Sequence, residues 1–117
     1  MFGFFKKPKT FMSEEEKRAA ALPRTKKVQF EAMPVAEAEK LLAQDIRAVL
    51  TFVPVNYYAT KDRFLQCNFH YAEDYSEIYM QFELRVNDLP REKSRLYTVD
   101  KLLMRDILRK FGVNINI

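Results

Sequence analysis

The chain has 117 residues, the size of one domain, of which 48% are hydrophobic and 31% charged. This composition is too apolar for a disordered chain, and two glycines argue against a glycine-rich phosphate loop or a barrel with many tight turns. One cysteine excludes a disulfide framework and favours a reducing compartment. A single cysteine and a single histidine also cannot form a Cys/His zinc site.

The positive charge lies mainly at the N-terminus. Residues 1–27 carry eight Lys or Arg and three Glu, a balance of +5, whereas residues 28–117 carry twelve basic and thirteen acidic residues, a balance of −1. Nucleic-acid-binding domains usually carry a positive stripe on the fold itself, which is nearly neutral here. No apolar run reaches the ~20 residues that cross a bilayer, and the opening lacks the pattern of a secretory signal. We therefore expect a cytoplasmic location or another reducing interior compartment.

The opening twelve residues, MFGFFKKPKTFM, combine phenylalanines with lysines and have no clear periodicity. We interpret them as an arm that docks on a protein partner or larger complex, with phenylalanines as anchors and lysines at the rim. A frayed terminus and a patch that rests peripherally on an anionic membrane are the alternatives. The predicted contact residues are Phe2, Phe4, Phe5, Lys6, Lys7, Lys9 and Phe11.

The following stretch, SEEEKRAAAL, predicts a short helix over 13–22. Ser13 and Glu16 have the spacing of a capping box, and Pro23 ends the helix. A helix of this length is marginal alone and must dock on another element. The sequence therefore divides into 1–24, a basic arm with a short helix, and 25–117, a single α+β domain.

The first half of this domain predicts a strand and a helix. KKVQFEAM alternates between polar and apolar residues, as a half-buried strand does. Pro34 then opens a helix predicted over about 34–49. Residues 50–62, rich in strand formers around Pro54, predict an edge strand or an extended arm. The apolar stripe of the helix is Val35, Ala38, Leu41, Leu42, Ile46 and Val49.

Two alternating strands follow at 63–71 and 77–86, and AEDYS between them predicts a hairpin loop. We interpret 87–97 as a charged loop, either solvated or holding phosphate or an acidic surface through basic side chains. These basic residues are Arg91, Lys93 and Arg95. The apolar residues on the core face of the two strands are Leu65, Cys67, Phe69, Tyr71, Ile78, Met80, Phe82, Leu84 and Val86.

The C-terminal segment predicts one more helix and one more strand. Thr98 caps a helix over 99–111, and Gly112 stops it. VNINI then alternates to the end of the chain, which predicts a strand over 113–117. The expected core stripe of the helix is Val99, Leu102, Leu103, Ile107 and Phe111.

The resulting β-α-β-β-α-β order predicts a two-layer sandwich, with helices on one face of a mainly antiparallel sheet, in the ferredoxin-like arrangement. KLLAQDI (40–46) and KLLMRDI (101–107) match at five of seven positions, one on each predicted helix. Either a duplication or two amphipathic helices that draw on the same residue types explains this match.

The polar face of the predicted sheet is the second candidate surface. Single-stranded RNA stacks its bases on aromatic side chains of such faces, and Tyr79 and Phe64 are the candidates here. The segment SEIYMQFEL lacks the basic-Gly-aromatic signature of RNA-recognition strands, and a solvated or partner-covered face is the alternative. The candidate residues are Phe64, Gln66, Asn68, His70, Tyr79, Gln81 and Arg85, with Gln29, Asn114 and Asn116 on the same face.

The remaining polar residues do not form a catalytic set. Cys67 and His70 lie three apart on a strand and so point to opposite faces. Asp45 and Asp106, at the margins of their helix stripes, are expected to reach solvent, with Lys110 as a surface partner of Asp106.

We find no catalytic residues, metal ligands or cofactor loop in the sequence. It therefore predicts a non-enzymatic protein–protein interaction protein, an assembly subunit or adaptor that docks through its N-terminal arm. The alternatives are a single-stranded nucleic-acid-binding module that uses the polar sheet face, and a small enzyme with an unrecognised site.

Overall fold

The computed structural model describes residues 13–55 and 62–116. No helix in this part of the chain is long and apolar enough to cross a membrane. The elements confirm an α+β fold with an antiparallel sheet. They are α1 (Glu14–Ala20), β1 (Arg24–Glu31), α2 (Val35–Gln44), a 3₁₀ helix (Ile46–Thr51), β2 (Arg63–Tyr71), β3 (Ile78–Val86), β4 (Leu89–Lys93), β5 (Tyr97–Thr98) and α3 (Lys101–Arg109).

The described strands form one sheet in the order β1-β2-β3-β4, and β5 also pairs with β3. Each of these pairs is antiparallel. In two interleaved βαβ halves, the strands on either side of the first helix would be parallel. Here β1 and β2 are direct antiparallel neighbours, so the predicted ferredoxin-like order is wrong for the described sheet.

The predicted loop over 87–97 is also wrong, because it contains β4 and the first residue of β5. β3 turns into β4 through Asn87 and Asp88, which have φ values of 53° and 67°. Two consecutive residues with positive φ match the right-handed twist of a hairpin, and Asn and Asp tolerate this conformation. Pro90 and the charged side chains explain why this strand was not predicted, since both are typical of loops as well as of sheet edges.

The core lies between one face of the sheet and α2, the 3₁₀ helix and α3. Alternation along β2 and β3 places the predicted apolar residues on this face, with Leu65, Cys67, Phe69, Met80 and Phe82 fully buried. Burial of each large apolar side chain contributes ~1.5–3 kcal/mol to folding. The core-facing side of each central strand was therefore predictable from sequence.

The helix predicted over 34–49 is divided in two. Asp45 has extended backbone angles, φ −161° and ψ 118°, and its side chain accepts a hydrogen bond from the amide of Arg47. This cap ends α2 and starts the 3₁₀ helix. The predicted apolar stripe still meets the core on both sides of the break, from Val35 to Val49.

The helix predicted over 99–111 begins later than expected. Asp100 is its N-cap and accepts from the amide of Leu103 at 2.8 Å, so the expected cap Thr98 lies in β5 instead. The buried residues of the helix are Leu103 and Ile107, as predicted, together with Met104 and Leu108. Leu102, predicted to be buried, is 49% exposed.

The strand predicted over 113–117 is absent from 113–116. This part of the tail has no ladder partner among the described residues, although Val113 and Ile115 pack against the core as expected. Their burial explains the alternating sequence without a strand, because an extended chain alternates its side chains whether or not its backbone is paired.

Candidate partner-binding surface

The polar face of the sheet is partly covered by α1. The predicted capping box is present, with the Ser13 and Glu16 side chains each accepting from the backbone of the other. Ala19 of this helix is buried with Tyr79 and Leu96 in a small second cluster. A seven-residue helix is only marginally stable alone, and the contact of Ala19 with the sheet stabilises it.

The two aromatic residues predicted to stack on bases are both buried. Tyr79 is 7% exposed and Phe64 is 6% exposed. The Tyr79 hydroxyl donates to Glu77 at 3.0 Å, and the same carboxylate forms an ion pair with Arg18 of α1 at 2.9 Å. Stacking requires a ring face open to the base, and the folded domain offers no such face at either position.

The buried amides of the polar face form hydrogen bonds within the protein. Gln81 Nε2 donates to the carbonyl oxygen of Ser94 at 2.8 Å. Gln66 Nε2 donates to Asn68 Oδ1 at 2.9 Å and to Glu83 Oε1 at 3.3 Å. Since burial of an unpaired amide is unfavourable, these bonds stabilise the sheet. They also occupy the side-chain N–H groups of the two glutamines, which are therefore not available to bind a ligand.

Arg85 also forms internal contacts. Its Nη1 donates to Glu83 Oε1 at 2.9 Å, and its Nη2 donates to the carbonyl oxygen of Asp88 at 2.7 Å. The guanidinium therefore holds the β3–β4 hairpin and has an adjacent carboxylate that balances its charge.

The open part of the polar face is a concavity of about 410 Å³ over β1 and β2. Thr25 lies opposite His70, and Lys27 lies opposite Asn68. Burial, and the nearby charge of Lys27, lower the pKa of His70 below its usual value, so its imidazole is neutral at pH 7. The four residues form a donor-rich patch, named the β1–β2 patch below, in which Lys27 supplies the positive charge.

The outer edge of β1 is paired along only part of its length in the described structure. The carbonyl oxygen of Gln29 accepts from the Val55 amide at 3.0 Å, and the Glu31 amide donates to the Val53 carbonyl at 2.8 Å. Since β1 pairs with β2 without a register shift, Thr25 and Lys27 direct their backbone groups to the same outer side. Among the described residues, the outer ladder ends at Val55.

An apolar cleft of about 160 Å³ lies beside this edge. The side near the strand is lined by Val28 and Val55 together with Lys27 and Gln29, and the side near the C-terminal segment is lined by Phe111 and Val113. The Phe111 ring packs edge-on against Phe30, with 5.2 Å between centroids, which holds this wall against the core. The cleft has room for an aliphatic side chain from a chain placed along β1.

Cys67 and His70 lie on opposite faces of β2, as predicted. Cys67 is fully buried in the core, and burial raises the pKa of its thiol far above the usual range. His70 belongs to the polar face, so the two side chains do not form a nucleophile–base pair. No group of three His, Cys, Asp or Glu in the described chain is arranged to hold a metal ion.

Asp106 has different partners from the expected one. It accepts hydrogen bonds from Arg47 and Arg105, each at 3.0 Å, and these hold the pKa of its carboxyl below the usual value. Lys110, its predicted partner, instead donates to the carbonyl oxygen of Leu50 at 2.7 Å. Both contacts join α3 to the 3₁₀ helix, so these charges have a structural role.

Other predicted site residues lie elsewhere. The seven contact residues of the N-terminal arm are outside the described residues and stay a prediction. Asn114 and Asn116 are exposed on the tail. Of the basic residues in 91–95, Arg95 packs over the Tyr97 ring at 4.7 Å from its centroid.

The β1 edge and its cleft are the features that sequence reasoning missed. KKVQFEAM shows that β1 is a strand, but its position at a sheet edge depends on pairing with residues 33 to 47 positions away. The cleft combines residues from β1, from the segment after the 3₁₀ helix and from the segment after α3. A local pattern contains no information on such distant contacts.

Comparisons of the chain with protein-family models, with curated proteins and with solved structures found no match. The proposals below therefore depend on the geometry and chemistry of the described residues.

Proposed function

We propose that this protein is a non-enzymatic interaction domain, a subunit or adaptor of a larger assembly, that receives an extended segment of a protein partner beside β1. The observation that carries the proposal is the outward direction of the backbone groups of Thr25 and Lys27. They continue the ladder that the chain itself forms at Val53 and Val55. Addition of a strand to such an edge provides affinity through main-chain hydrogen bonds, and specificity through side-chain pockets.

The other edge of the sheet is less suited to this role. Pro90 of β4 has no N–H to donate, and every residue of this strand is exposed. Charged side chains discourage pairing at both edges, so the missing N–H of Pro90 is what distinguishes β4. β1 has the cleft beside it, whereas β4 has the features of a protected edge.

The N-terminal arm belongs to the same proposal as a second contact. Its phenylalanines and lysines suit an anchor in a partner's groove with a charged rim. A partner held at two places on one subunit binds more tightly than at either alone, because the second contact forms at high effective concentration.

Nucleic-acid binding has less support as the main function. The rings of Tyr79 and Phe64 are buried, and the guanidinium of Arg85 already contacts a carboxylate. What remains open in the concavity of this face is Lys27 and Lys26, with neutral polar neighbours. Such a surface would give little of the phosphate neutralisation that provides most non-specific affinity for nucleic acid.

The proposal is tested by capture of partners from a nuclease-treated lysate of the native source, with the full-length protein as bait. Lys27→Pro removes the N–H that points away from β2 and leaves the β1–β2 ladder intact. Lys27→Ala is the matched control, because it removes the side chain but keeps the N–H. We expect wild type to capture a protein that Lys27→Ala retains in part, because that variant keeps the N–H and loses only the charge, and Lys27→Pro to lose at least nine-tenths of it.

Circular dichroism and a thermal melt establish that each variant is folded. Equal retention by folded Lys27→Pro overturns strand addition at β1. Protein that is captured from an untreated lysate and absent after nuclease treatment would instead promote the nucleic-acid-binding alternative.

A further inference from the structure

A strand placed beside β1 would have two chemically different neighbours. Side chains alternate between the two faces of a sheet, and residues directly opposite each other share a face. Residues opposite Thr25 and Lys27 would therefore lie over the β1–β2 patch. Residues opposite Lys26 and Val28 would point to the core side, where the apolar cleft lies.

The core side favours an aliphatic residue. Val28 is buried, and Val55, Phe111 and Val113 complete the apolar part of the lining, to which Lys27 and Gln29 add a polar part. A cleft of about 160 Å³ accepts a valine or leucine side chain, which would bury its methyl groups against these four apolar residues.

The polar side favours an acidic residue. Lys27 is exposed, and no described carboxylate forms an ion pair with it. Glu83, the carboxylate that lines the same concavity, forms an ion pair with Arg85 and accepts a hydrogen bond from Gln66. An acidic side chain directly opposite Lys27 would form the favourable type of cross-strand pair.

A second copy of the chain is a poor occupant. Two β1 strands paired edge to edge would bring Arg24, Lys26 and Lys27 of each copy close to the same residues of the other. Like charges directly opposite one another destabilise a strand pair. The charge of this edge therefore selects against self-association and for an oppositely charged partner.

We infer that the partner segment is an extended strand in which acidic and aliphatic residues alternate, with an acidic side chain over the β1–β2 patch and an aliphatic one in the apolar cleft. This inference rests on the proposed function, because it specifies the chemistry of the segment that β1 receives. It also fixes the order of residues, since two acidic residues in succession would place one of them at the cleft.

The inference is tested with seven-residue synthetic peptides titrated to millimolar concentration against the full-length protein, followed by amide chemical shifts. One peptide alternates four glutamates with three valines. A second replaces glutamate by lysine, a third replaces it by threonine, and a fourth has the glutamate–valine composition in two blocks. We expect the alternating glutamate peptide to bind at least tenfold more tightly than the lysine and block peptides, and to protect the amides of Thr25 and Lys27 from hydrogen exchange.

Two charge-reversal variants of the protein test whether Lys27 is the residue that attracts the acidic peptide. Lys27→Glu should weaken the alternating glutamate peptide at least tenfold and strengthen the lysine peptide. Lys101→Glu, an equal charge change at an exposed position of α3, should leave both affinities within twofold of wild type.

Two results would overturn the inference and have different consequences for the proposed function. If the glutamate, lysine and threonine peptides bind equally and protect the Lys27 amide, strand addition stands and the charge preference is wrong. If no alternating peptide binds, or the Lys27 amide is already protected in the free protein, both are wrong.

Discussion

The backbone of Phe82 is paired with both the main chain and the side chain of Ser94. The Phe82 amide donates to Ser94 Oγ at 2.9 Å, and the Ser94 amide donates to the carbonyl oxygen of Phe82 at 2.9 Å. This arrangement lies between β4 and β5, where the edge strand is interrupted. The serine hydroxyl thus takes the place of the carbonyl that a continuous strand would supply.

We predict that Ser94→Ala destabilises the domain by about 1–3 kcal/mol, because it leaves the buried Phe82 amide without an acceptor. Thr98→Ala, which changes an exposed hydroxyl in the same segment, should shift stability by less than about 0.5 kcal/mol. Urea unfolding followed by circular dichroism measures both. Equal stabilities for Ser94→Ala and wild type would show that water or a shifted backbone replaces the hydroxyl.

The faces of the central strands were the most predictable feature of this fold. Leu65, Cys67 and Phe69 alternate with Gln66 and Asn68, and strict alternation assigns each residue to a face without knowledge of its neighbours. The strand order was not predictable in this way. Both a parallel crossover and an antiparallel connection are compatible with a helix between two strands, and only long-range pairing distinguishes them.

The candidate site was less predictable than the fold. Gln66, Asn68, His70 and Tyr79 were assigned to the right face, but α1 covers part of that face. The sequence showed that this helix needed a docking surface and did not show which one. Ala19 covers Tyr79 through a tertiary contact, which no local pattern in the sequence indicates.

Cys67 provides a second test of the core. We predict that its thiol resists alkylating reagents in the folded protein, because it is fully buried and burial raises its pKa. Cys67→Ser should destabilise the domain by ~1–3 kcal/mol, since the buried hydroxyl would lack a partner. Cys67→Ala is the control for lost volume and should be the milder change. Rapid labelling of the native protein would contradict the register of β2.

We expect the N-terminal arm to contribute to the affinity for a partner and to contribute little to the stability of the domain. Every described residue in the two apolar clusters lies beyond position 18, so deletion of 1–12 should leave the melting temperature within a few degrees of wild type. The same deletion should weaken capture of the partner from lysate several-fold. Calorimetry and quantitative capture measure the two effects. An unfolded deletion variant would show that these residues belong to the core.

His70 should make stability depend on pH near neutrality. Its folded-state pKa lies below the ordinary value of 6.5, so as pH falls the unfolded chain takes up this proton first. The contribution of His70 to the free energy of unfolding is therefore level above about pH 6.5 and falls as pH drops from there toward the folded-state pKa. His70→Gln should flatten this part of the profile.

The His70 prediction can be measured directly, because the chain has one histidine. Its imidazole resonances in the folded protein report the titration without overlap from others. Lys27→Ala should raise the midpoint, since it removes the second cause of the shift, whereas burial remains. A midpoint at or above 6.5 in wild type would contradict the half-buried placement of the ring.

The last prediction separates the interaction domain from the nucleic-acid-binding alternative. We expect the full-length protein to bind single-stranded RNA weakly, through the lysines of residues 1–12. Such binding comes from phosphate neutralisation, so its affinity should fall steeply with salt, with a slope of about −0.7 for each phosphate neutralised on a single strand. Deletion of 1–12 should remove most of it. A Lys27→Glu, Asn68→Glu double variant, which reverses the charge of the β1–β2 patch without touching the core, should bind almost as wild type does.

A fluorescence titration of a twelve-nucleotide oligouridine at two salt concentrations tests this expectation. Binding through the sheet would behave differently, because base stacking contributes ~1–3 kcal/mol per base and is less sensitive to salt than phosphate contacts are. Micromolar affinity at physiological salt that survives deletion of 1–12 and is lost in the double variant would place the nucleic acid on the polar face. That result would require the α1 helix to move from Tyr79, since the ring is covered in the folded domain. Protection of the Ala19 amide from hydrogen exchange, with and without RNA, would then show whether the helix is displaced.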